Sequence, residues 1–103
     1  MSSFRKEVDY YLYNHKTVAK SKDKDDQSWS KIIDHIKEKY AGKPQGNLIQ
    51  FKFEQKLKEE TILYMLNIER TTYYAWLNKI INEITLMAAY ERLIIPYIPY
   101  ENK

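Results

Sequence analysis

Between residues 60 and 84 the apolar positions form two helical stripes that meet at a polar break. Ile62, Leu63 and Leu66 fall at i, i+1 and i+4, which gives a short first helix one buried side. Asn67 tolerates left-handed backbone better than most residues, so it predicts a turn, and Ile68 then plugs the corner between the helices. From about Arg70 a second helix carries Tyr73, Trp76, Leu77, Ile80, Ile81 and Ile84 inward at spacings of three and four. That stripe leaves Arg70, Thr71, Tyr74, Ala75, Asn78 and Lys79, with Thr72 beside them, for the outer side. Two short helices at this spacing predict a helix-turn-helix. Its outer residues suit base edges: Arg, Asn, Thr and Tyr supply donors, acceptors and a methyl group, and Ala75 lets the backbone come close.

The same periodicity predicts helices elsewhere. Phe4, Val8, Tyr11, Leu12 and His15 share one face of a helix from about Ser3 to Ala19. The run from Ser21 to Ser28 has no apolar residue and reads as a loop, after which Ser28 or Ser30 caps a helix to about Tyr40. Trp29, Ile32, Ile33, Ile36 and Tyr40 point inward there, and Gly42 ends the helix. After the loop Lys43-Pro44-Gln45-Gly46, Asn47 caps a third helix with Leu48, Phe51 and Leu57 inward; Phe53 does not fit its stripe. From Ile80 to Ile95 apolar residues cover nearly the whole helical circumference, which predicts one helix prolonged to Pro96. One side of it would lie on its own core and the other on a second copy of the chain, a homodimer. The tail from Pro96 to Lys103 is read as non-helical.

These elements make an all-α fold, a small bundle of four to five helices with a helix-turn-helix and a long C-terminal helix. Its length of 103 residues suits a single domain, 1–103, divided into an N-terminal helical hairpin (1–42) and a helix-turn-helix unit with extended C-terminal helix (47–95). Two Gly and three Pro are too few for the many turns of a sandwich or barrel. The absence of Cys removes disulfides, thiol catalysis and Cys-based metal centres. No stretch has the apolar length of a signal peptide core or a membrane span, so a soluble, intracellular protein away from membranes is expected. No phosphate loop, HExxH pattern or nucleophile elbow occurs, and His15 and His35 lack ligand-spaced partners. No catalytic residue, metal site or cofactor is therefore assigned.

Charge refines the picture. Residues 1–26 carry six basic and five acidic groups, residues 27–58 seven and three, and residues 59–103 four and six. The basic excess precedes the proposed reading helix, so phosphate contacts would come from Lys52, Lys56 and Lys58, with Lys37, Lys39 and Lys43 behind them. The ten Tyr suit surfaces that are both apolar and hydrogen-bonding.

The segment from Leu48 to Pro96, above all RTTYYAWLN at Arg70–Asn78, resembles the C-terminal half of ArpU-like phage transcriptional regulators, relatives of the RinA-like late-gene activators. The chain departs from that family at Glu69, where Ser usually caps the second helix, and at Ala75, where a basic residue usually stands. The resemblance implies a sigma-factor-like helix-turn-helix on double-stranded DNA, control of late or lysis genes, and room for RNA polymerase as a second partner. The acidic balance after residue 58 favours a different use of the same frame, a protein-binding adaptor or inhibitor. A DNA-packaging component is a third reading by fold analogy alone.

Overall fold

The computed structural model describes residues 2–94, with side chains from residue 4 onward. All of its regular structure is helical: α1 (Ser2–Tyr13), α2 (His15–Val18), α3 (Lys24–Lys39), α4 (Pro44–Ile49) running into a π-helical turn (Gln50–Glu54), α5 (Glu59–Leu66) and α6 (Arg70–Tyr90). The first expected helix is two, because Asn14 interrupts it. Both the Asn14 backbone N–H and its Nδ2 donate to the Tyr10 carbonyl, at 3.0 and 2.8 Å, and this local competition turns the chain at residue 14.

α3 starts earlier than its apolar pattern suggests, and most of the expected Ser21–Ser28 loop is helical. Asp23 is the N-cap, its side chain accepting from the Asp26 N–H, so neither Ser28 nor Ser30 plays that part. Asp25 and Asp26 sit in the first turn and Lys37 and Lys39 in the last, the favourable arrangement for the helix dipole. α4 likewise begins at Pro44, ahead of Asn47, because proline at the first helical position costs no hydrogen bond. Gly46 is required there: a Cβ would stand 2.3 Å from the Tyr40 carbonyl oxygen, where α3 ends against α4.

The π-helical turn, closed by Gln55 N–H to the Gln50 carbonyl at 2.9 Å, inserts one residue into the helical phase. That shift drives Phe53 into the core at 1% exposure, edge-on to Tyr13 at 4.8 Å, which a uniform helix from Leu48 would not do. Phe51 and Leu57 remain half-buried.

α6 packs against α1, α3 and α4, and every segment from α1 onward except α2 adds side chains to one buried cluster. Trp29 is its largest member and stacks on Tyr11 at 4.5 Å. α6 buries Tyr73, Leu77, Ile80, Ile81 and Ile84 as spacing predicts, and Ala88 beyond them, with Trp76 half-buried. It ends at Tyr90 rather than at Ile95: Arg92 takes positive φ, Leu93 N–H bonds the Ala88 carbonyl at 2.8 Å, and Ile94 folds back into the core. The expectation for Pro96–Lys103 lies outside the described residues. No described helix is long and apolar enough to cross a membrane.

Candidate nucleic-acid interface

The break between α5 and α6 falls at Asn67, in the left-handed region with φ 53 and ψ 50. Ile68 N–H reaches back to the Leu63 carbonyl at 3.1 Å, the long bond of a Schellman-type ending, and Ile68 and Leu63 both pack on the core. α6 then opens from Glu69, whose side chain makes no capping bond. The Glu69 carbonyl still accepts the Tyr73 N–H at 2.9 Å, so the helix begins without a side-chain cap. A buried Ile62 in α5 and a buried Tyr73 in α6 fix the inner sides of both helices.

With those sides inward, Arg70, Thr71, Tyr74, Ala75, Asn78 and Lys79 are exposed and Thr72 is half-buried at the edge. Three of them are held by partners that the local sequence does not announce. Glu59, the first residue of α5, accepts from Arg70 Nε at 2.7 Å through one oxygen and from the Tyr74 hydroxyl through the other. The bond to Glu59 raises the Tyr74 phenol above its ordinary value. Arg5 of α1 donates from Nη1 to Asn78 Oδ1 at 2.7 Å. Neither Glu59 nor Arg5 belongs to the outer stripe of α6, and Arg5 is 73 residues from its partner, so only the packing of α1 on α6 brings it there.

The basic residues of the middle segment are unevenly available. Lys58 and Lys56 are exposed just before α5, Lys56 at positive φ. Lys52 instead is half-buried, its Nζ over the Phe53 and Tyr13 rings at 5.5 and 5.8 Å. Burial disfavours its charge, but the Tyr13 and Tyr73 hydroxyls outweigh burial and hold the ammonium above its usual range. Lys37 pairs with Glu54 and lies 3.1 Å from His15 Nδ1, and Lys39 pairs with Glu83 at 2.6 Å. Burial, then the nearby Lys37 charge, lowers the His15 pKa against the opposing charge of Asp34. Lys43 is exposed at the start of α4.

The α5–α6 surface is therefore near neutral: Lys58, Arg70 and Lys79 are matched by Glu59, Glu60 and Glu69. Among the described residues no cluster of His, Cys, Asp or Glu could hold a metal ion. Comparison with protein-family models, curated proteins and solved structures gave no significant match.

Proposed function

We propose that this chain is a DNA-binding transcriptional regulator of the phage or prophage type, controlling late or lysis genes, with α6 as its reading helix. One observation carries the reading: the left-handed break at Asn67 leaves the first three turns of α6 with an exposed face of Arg70, Thr71, Tyr74, Ala75 and Asn78. The N-terminal part of a helix that follows such a turn is the part that enters a major groove, and these side chains can bond base edges. Lys79, Lys58 and Lys56 supply phosphate contacts, with Lys52 giving its charge from beneath. The site is the cytoplasm of a bacterial host, and RNA polymerase is the second partner. The exposed Leu86 and Tyr90, 70% and 87% accessible, support a homodimer through the C-terminal part of α6.

The test is duplex binding across salt concentrations. Affinity should fall steeply from low to moderate salt, Arg70→Ala and Asn78→Ala should relax sequence preference, and Lys79→Ala should weaken all duplexes alike. Salt-independent or absent duplex binding rejects the reading. A second reading, a protein-binding adaptor, is favoured by the Glu59 carboxylate that neutralises Arg70 and by Tyr64 and Met65, which stand exposed on α5. Under it, Arg70→Ala leaves duplex affinity unchanged, and the exposed Tyr and Met residues govern capture of a protein partner.

A further inference from the structure

Resting on the DNA reading above, we propose that Arg5 and Asn78 act as one composite reader that selects guanine. The observation is their hydrogen bond, Arg5 Nη1 to Asn78 Oδ1 at 2.7 Å, on the exposed face where α1 lies along α6. A lone Asn reads adenine by using both ends of its amide, the oxygen accepting from the adenine amino group and the NH2 donating to N7. Here the oxygen already accepts from a cation. What Asn78 offers outward is its NH2, and beside it stand the remaining N–H groups of the Arg5 guanidinium, which carries five in all. Such a pair is rich in donors and poor in acceptors. In the major groove the base that shows two acceptors and no donor is guanine, through N7 and O6.

Among the described residues no carboxylate forms an ion pair with Arg5. Asp9, one turn on from Arg5, has its Oδ1 buried without a hydrogen-bond partner, and burial raises its pKa against the opposing charges of Arg5 and Lys52. Arg70 and Tyr74 are occupied by Glu59 nearer the start of α6. The Arg5–Asn78 pair thus adds a reading element from a helix outside the helix-turn-helix, at the third turn of α6.

Selection of bound duplexes from a random pool tests it. The wild-type chain should enrich guanine at one fixed position of the site. Arg5→Ala frees the Asn78 oxygen, so the preference there should swing toward adenine, with the guanine-over-adenine ratio falling about tenfold or more. Arg5→Lys keeps the charge and the donors and loses the planar fork, so the guanine preference should weaken less than in Arg5→Ala while overall affinity stays. Circular dichroism melting of each variant shows that the bundle is intact. Enrichment of adenine by the wild-type chain, or a guanine preference that Arg5→Ala retains undiminished, overturns the proposal and leaves DNA binding standing. A wild-type pool with no enrichment at all overturns both.

Discussion

The two halves of α6 share one inner stripe and differ in the large side chains they expose. Tyr73 and Leu77 in the first half and Ile80, Ile81, Ile84 and Ala88 after them are buried in the same core. Outward, the first half shows Arg70, Tyr74 and Asn78, each tied by a polar bond to α5 or α1, whereas the second shows Leu86 and Tyr90 without such ties. The inner stripe thus sets the fold, while the outer face is free to serve two kinds of surface on one rod, polar toward its start and apolar toward its end.

If the inner stripe is common to both halves, truncation should cost about the same in each. Leu77→Ala and Ile84→Ala should each lower unfolding free energy by about 2–5 kcal/mol in chemical denaturation, because each leaves a cavity in a packed core. A markedly smaller loss at Ile84 would mean that the second half docks loosely. Next in size is the corner. Asn67→Val places a β-branched side chain at positive φ and should cost about 1–2 kcal/mol, and it should weaken duplex binding beyond what the stability change explains.

A third test separates the halves by pH. Glu83, in the second half, accepts from Lys39 Nζ and from the Tyr40 hydroxyl, both at 2.6 Å, across to α3. Burial works against its charge, yet these bonds hold the carboxyl below its ordinary value of 4.5. Burial and the same bond push the Tyr40 phenol up to about 12. A folded pKa below the unfolded one contributes stability above about pH 4.5 that is lost as pH falls further. Glu83→Gln should reduce that acid loss, at about 1 kcal/mol near neutrality, in denaturant melts across pH. The smallest effect belongs to the apolar outer face. Leu86→Lys should change monomer stability by less than about 0.5 kcal/mol, since the side chain is exposed. Sedimentation should nonetheless show loss of the proposed dimer; a wild-type chain already monomeric at micromolar concentration removes that proposal.

The parts of this molecule that apolar spacing controls were legible before any coordinates: the stripe from Tyr73 to Ile84, the inward set from Trp29 to Tyr40, and the corner, since Asn is one of few residues that accept left-handed backbone. The start of α3 was hidden because its first turn, Lys24 to Gln27, is wholly polar and carries no periodic signal, so only the Asp23 cap marks it. Phe53 defied placement because the π-helical turn shifts the phase within a single helix. At the candidate interface the exposed α6 residues followed from the stripe. Glu59 and Arg5 did not, since tertiary packing alone decides that they close on Arg70, Tyr74 and Asn78.

The contact at Gly46 bears on how this chain can drift over evolutionary time. Even the smallest side chain at that Cα would collide with the Tyr40 carbonyl, so substitution there requires α3 and α4 to part. Surface residues of α6 can be exchanged for a new partner while the bundle persists, but the α3–α4 junction has no such latitude. A relative that keeps this α3–α4 junction should carry glycine two residues after the proline that opens α4, whatever the exposed surface of its α6 displays.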